Sequence, residues 1–266
     1  MEHSGLEGGR RLIKHINNSR KLILKQKYFY LAFAAALPFF LFLLLSSEYA
    51  SYQKEGYSLC YADCFCLICV AQVVGLFFIP FVFFMTCFLS KRIFSSQMIL
   101  RLKNRETVWN LQVIVLVKTA FYLSTYLTAW IAFLGTFFSN QLLNWNKQRS
   151  LFFATTQATI GSYSIWEIIL LFWLCSFLLL ITIPLCALLT QWISGKEIAG
   201  WLYLILITGW NMVSPFKFLS GKLYLWYRSF LEPSTFAVGI FGCIGLIFVL
   251  WMIGKKQARR KDFWNA

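Results

Sequence analysis

Apolar residues gather in this chain into six blocks, at about 28–47, 59–89, 111–138, 165–192, 198–216 and 235–254. Each approaches or exceeds the ~20 residues an α-helix needs to cross ~30 Å of hydrocarbon. Backbone N–H and C=O groups in lipid must be bonded internally, which leaves only helices or a closed barrel. A barrel needs strands of ~10 residues alternating apolar and polar side chains, and no such alternation occurs. The expected fold is an all-α integral membrane protein. Residues 1–27 form a cytoplasmic N-terminus, 28–254 a six-helix transmembrane domain and 255–266 a basic tail. The first block is expected to be retained rather than cleaved. It is too long for a signal-peptide core, and Ser47-Glu48-Tyr49 follows it where a small-residue cleavage site would stand.

Six spans consume so much of the 266 residues that a sizeable soluble catalytic domain has no room. The composition agrees: 59% of residues are hydrophobic and 13% charged, against about 45–50% and about 25% in soluble domains. The two histidines, His3 and His15, both precede the first block. That excludes a Ser–His dyad, bis-His haem and His-rich metal sites within the membrane. No G-x-x-x-x-G-K-[ST] occurs, so the chain has no P-loop for ATP. The net charge of +15 would point to nucleic acid in a soluble protein. Here it belongs to membrane topology, and no nucleic-acid partner is expected.

The loop charges are lopsided. Eighteen Lys/Arg fall on the side of the N-terminus, the loop after the second block, Lys196 and the tail, against six on the other side; Lys118 lies within the third block. The positive-inside rule then places both termini in the cytoplasm. Trp109, Trp166, Trp192, Trp201 and Trp251 fall near block ends, where an aromatic belt would put them. Before the first block, Leu12, Ile13, Ile16 and Ile23 share a helical face opposite Arg11, Lys14, Lys21 and Lys25, the pattern of an interfacial amphipathic helix. In the loop 90–110, Ser95 and Ser96 can cap a helical turn. Its apolar side would carry Met98, Ile99 and Leu102, and Arg101, Lys103 and Arg105 would face outward. The segment 217–232 is aromatic but too short and too charged to cross. It fits an interfacial or re-entrant pair of helices broken at Gly221. The outer segment 139–164 reads as a loop or as part of a vestibule.

Chemistry-bearing residues are sparse. Cys60, Cys64, Cys66 and Cys69 cluster at the outer end of the second block and include a C-x-x-C. Helical spacing spreads them around the axis, so membrane-compatible packing outweighs a metal or redox role. Asp63 and Glu167 sit at outer block ends, where charges can snorkel. Lys118, two turns into the third block, has a stem long enough to reach for the inner interface; substrate binding is the other reading. Phe77, Phe81 and Phe84 could line a route for an apolar substrate, or simply face lipid.

This layout resembles the ABC-2-type permeases. The features in common are six spans with both termini inside, a basic amphipathic helix before the first, an amphipathic inner loop and an interfacial segment between the fifth and sixth. The tail Lys255–Phe263 (KKQARRKDF) is similar to the basic ends of that group. Ile99-Leu100-Arg101-Leu102-Lys103-Asn104-Arg105 resembles the inner loop of small permeases from peptide-export and bacteriocin-immunity systems of Gram-positive bacteria. The resemblance implies a plasma-membrane permease subunit, not catalytic itself, working as a homodimer or heterodimer. It would hold no cofactor of its own, with ATP and Mg bound by a cytoplasmic ABC ATPase subunit. The residues matching the ATPase-coupling loop are Phe94, Met98, Arg101, Lys103 and Arg105. Two other classes compete: a membrane scaffold that binds a partner through the same loop, and a thiol oxidoreductase using Cys66 and Cys69.

Overall fold

The computed structural model describes residues 34–69, 73–93, 105–213 and 223–260; the N-terminal amphipathic helix, most of the inner loop and the Gly221 break lie outside them. Among the described residues the protein is all-helical, with a single isolated bridge between Ser58 and Ser150 in place of any strand. The chain divides into two compact units, Met1–Ser47 and Glu48–Ala266. Helix α1 (Ala34–Lys54) begins in the first and ends in the second. Within the first unit, Leu37, Leu41 and Leu45 are buried at a spacing of four, and Phe39, Phe42 and Leu43 are exposed.

In the second unit the elements run α2 (Tyr61–Ile68), a π-helical turn (Val74–Phe78) leading into α3 (Ile79–Ile93), α4 (Arg105–Phe138), α5 (Leu151–Thr156), α6 (Ile165–Ser194), α7 (Glu197–Val213), α8 (Tyr227–Leu231) and α9 (Pro233–Arg260). Four helices are long and apolar enough to cross a membrane: α1, α4, α6 and α9. Two stretches are apolar but shorter, Val74–Leu89 and Glu197–Val213. At 1.5 Å per residue, α7 extends only about 25 Å, less than the hydrocarbon thickness. Several boundaries lie beyond those expected. The described part of the first helix continues past 47 to Lys54, α4 starts six residues earlier, and α9 runs on through the basic tail to Arg260. The second block is not one regular helix. Helix α2 ends at Ile68, and the π turn Val74–Phe78 precedes α3.

The core is organised around α6. From Leu178 to Leu185 every residue is buried, so this stretch has no lipid face. Helices α3, α4, α7 and α9 all pack against it. Such enclosure also accommodates Pro184, whose missing N–H leaves a helix carbonyl without its usual donor. The start of α6 is fixed by a reciprocal cap. The Ser164 hydroxyl accepts from the Trp166 N–H, and Glu167 accepts from the Ser164 N–H at 2.8 Å. Its end is fixed by Gly195, whose left-handed φ of 72° turns the chain sharply into α7. One turn into α7, a Cβ on Gly200 would stand 2.9 Å from the Ala187 carbonyl and 2.7 Å from the Phe83 ring. Only glycine permits that approach.

The end of the bundle where α4 starts and α9 finishes is locked by tryptophans. The fully buried Trp109 of α4 donates its indole N–H to the Trp251 carbonyl of α9 at 3.1 Å and meets Trp192 of α6 edge-on. Trp192 in turn donates to Gln112 at 2.6 Å, and Trp251 to Asn110 at 3.0 Å. Glu106 pairs with Lys255 at 2.8 Å and with Arg259. The Trp109 ring lies flush on the α9 backbone, so a Cβ on Gly254 would fall 2.0 Å from it. Replacing Gly254 or Gly200 with Ala should therefore destabilise the protein by about 1–3 kcal/mol through overpacking. Gly245→Ala, where the added methyl meets nothing within 4 Å, should be neutral or slightly stabilising. Thermal unfolding of the purified chain in mild detergent would check both.

Candidate functional site

The opposite end of the bundle carries a folded cap built on one carboxyl group. Asp63 lies in the first turn of α2 and is completely buried. Its Oδ2 accepts the Cys60 backbone N–H at 2.7 Å, holding the start of α2. Its Oδ1 accepts the Trp145 indole N–H at 2.8 Å, reaching into the segment between α4 and α6. Trp145 is also fully buried, stacked on Phe152 of α5 and edge-on to Phe230 of α8. Tyr163 closes the ring cluster, packing on Phe230 and donating its hydroxyl to the Phe230 carbonyl at 3.2 Å. Three loops that are far apart in sequence thus converge on Asp63. The expectation that Asp63 snorkels to water does not hold, because its partners come down to it.

Further bonds tie the same region. Asn144 donates its amide to the Ser58 carbonyl at 2.9 Å, and the Ser58 N–H donates to the Arg149 carbonyl at 2.9 Å. The Ser150 hydroxyl caps α5 by accepting from Phe153. Tyr227 is buried against Phe152 and Trp145, and its hydroxyl lies beside the Asp63 carboxyl without a bond of good geometry. Burial, and then the Asp63 charge, push that hydroxyl well above the usual tyrosine range. It stays protonated at any physiological pH. The segment 139–164, expected as a loop or vestibule wall, is therefore a packed lid with its own short helix.

Beside the cap opens a cavity of about 640 Å³, lined by Tyr52, Cys66, Leu67, Leu225, Trp226 and Tyr227, among others. At its mouth Arg228 and Glu232 form an exposed pair at 3.7 Å. The hydroxyls of Thr155 and Thr156 also border it, but they accept their duties from their own helix, bonding back to Leu151 and Phe152 carbonyls. An apolar chamber with a charged rim suits an amphiphile rather than a small polar metabolite.

The four clustered cysteines are free thiols, all buried. Cys69 accepts the Leu225 N–H at 3.3 Å, so it is engaged in holding the segment before α8. Of the coupling-loop residues, only Arg105 falls among the described residues, at the first position of α4; Phe94, Met98, Arg101 and Lys103 lie outside them. Phe77 and Phe84 are exposed on the surface and Phe81 is half-buried, and none of the three lines the 640 Å³ cavity. The structure does not bring them together with the cap. Sequence reasoning missed Trp145 as the partner of Asp63 and Tyr227 as its neighbour. The available signal was the acid itself: a carboxyl within an apolar block must find donors, and the segment 139–164 holds one indole.

Compared with protein-family models, characterised proteins and solved structures, the chain matches none.

Asp63→Ala should cost about 1–3 kcal/mol, because it strips acceptors from two buried N–H groups. Trp145→Phe, which removes one of those donors, should cost less. The pair should show non-additivity of roughly 0.5–3 kcal/mol in a double-mutant cycle read by thermal unfolding. Independently, a membrane-impermeant maleimide should leave Cys60, Cys64, Cys66 and Cys69 unlabelled until the cap is unfolded.

Proposed function

We propose that the chain is the permease subunit of an ATP-driven transporter, exporting or giving immunity to a peptide or another amphiphilic molecule. In this reading six segments cross the plasma membrane of a bacterium, the stretch from α2 to α3 and the short α7 being the second and fifth. Both termini are cytoplasmic. ATP and Mg are bound by a separate ATPase subunit, and the permease pairs with a second permease chain.

The observation that carries the reading is the segment between α7 and α9. Leu223, Tyr224 and Leu225 are all but fully buried, and α8 follows within a few residues, packed on α5 and α9. On this reading the segment between the two apolar helices lies against the protein on the outer side, as the interfacial segment of an ABC-2-type permease would. The apolar cavity beside it offers an amphiphile a resting place. Further support comes from the inner face. There, the basic loop ends at Arg105 directly beside the Glu106–Lys255–Arg259 cluster, so force on the loop would arrive at a fixed joint.

The test is a pull-down of the tagged chain from its native membrane in mild detergent. A stoichiometric P-loop ATPase should co-purify. Its absence, under conditions that preserve a control ABC complex, would sink the proposal and favour a scaffold. Arg101→Glu combined with Arg105→Glu should release the ATPase while membrane insertion is unchanged.

A further inference from the structure

Lys118 presents a problem that the fold leaves open. It lies on α4 thirteen residues beyond Arg105 and nine beyond Trp109. The tryptophans at the inner end and the Glu106–Lys255–Arg259 cluster mark the watery side of that helix. Nine residues of helix rise about 13 Å, close to half of the ~30 Å hydrocarbon thickness. A lysine stem directed toward the helix N-terminus recovers roughly 6 Å of that. The ammonium therefore stops short of the inner interface.

The side chain is exposed on the surface of the described protein and makes no ion pair or hydrogen bond with any described residue. The acids of its own helix and of α6 give it no counter-charge. Glu106, at the inner end, is taken by Lys255 and Arg259. Glu167, at the outer end, caps α6. A cation at this depth, facing lipid with no partner among the described residues, costs several kcal/mol. It persists where something anionic comes to meet it.

The surroundings indicate what that is. One turn outward from Lys118, Phe121 stands edge-on to Trp173 and Phe177 of α6, at 5.8 and 6.2 Å. The Trp173 indole is pinned by donation to the Thr125 hydroxyl at 3.1 Å. Tyr122 beside them is 70% exposed. The stripe therefore presents one cation followed by a firm aromatic surface. A second copy of the chain laid over this face by a two-fold axis would add a second Lys118 and no acid of α4 or α6 within reach, leaving both cations unpaired.

We propose that the Lys118 stripe binds an anionic amphiphile, its carboxylate or phosphate on the Lys118 ammonium and its apolar body along Phe121 and Tyr122. The inference deepens the permease reading by naming the charge of the substrate, and it rests on that reading for its transport meaning only.

The test uses the full chain, purified into phosphatidylcholine nanodiscs at about 0.5 M salt, which screens the exposed basic segments. Spin-labelled oleate and spin-labelled phosphatidylglycerol are the probes, with spin-labelled phosphatidylcholine as the reference. The wild-type chain should hold at least one of the anions about tenfold more tightly than the reference, the scale of a charge-assisted contact. Lys118→Met should abolish that preference and Lys118→Arg should keep it. Loss confined to oleate would assign the site to a carboxylate, and loss confined to phosphatidylglycerol to a phosphate. No preference in the wild type, or an unchanged preference in Lys118→Met, would overturn the proposal. Binding is measured without an ATPase, so failure of the permease reading in the pull-down leaves this result independent.

Discussion

The enclosure of α6 is the constraint from which most of the second unit follows. A helix with no free face between Leu178 and Leu185 must be surrounded, and α3, α4, α7 and α9 are the surrounding elements. In lipid there is little hydrophobic gain in bringing apolar helices together, so close packing and a few polar contacts decide which pairs form. Gly200 supplies the closest approach on one side. Trp192 of the same helix, bonded to Gln112 and set against Trp109, supplies a polar contact on another.

The two ends of the bundle are held by different physics. The cap depends on one buried carboxyl that accepts from the Cys60 N–H and the Trp145 indole, a low-dielectric arrangement in which each donor matters because no water stands ready to replace it. The opposite end uses neutral indole donors, one glycine and a partly exposed ion cluster, which tolerates contact with water. Removing a partner in the cap leaves a buried group unpaired, whereas at the opposite end water can stand in for a lost charge.

Much of the fold was legible in the sequence because block length and loop charge act locally. The apolar runs located α4, α6, α7 and α9 to within a few residues at most ends, whereas Glu167, read as a charge at a block end, proved to cap α6 together with Ser164. The end of α2 at Ile68 and the π turn were not legible, since the run from Leu59 to Leu89 is apolar throughout and periodicity carries no mark of a π turn. The cap site was hidden for a related reason. Asp63 and Trp145 are 82 residues apart, and their pairing depends on how α2 and the lid meet in space. The position of Lys118 relative to the tryptophans likewise became visible only when α4 proved to begin at Arg105 and to hold Trp109 against α9.

The contact between Trp109 and Gly254 has a mechanical consequence. An indole lying on bare backbone leaves no side chain to yield between the two helices, and the bond from Trp109 to the Trp251 carbonyl prevents sliding along the seam. At this level α4 and α9 would turn together. A push delivered to the basic end of α9 would reach α4, whose 34 residues run the length of the bundle to the segment that Asp63 holds through Trp145.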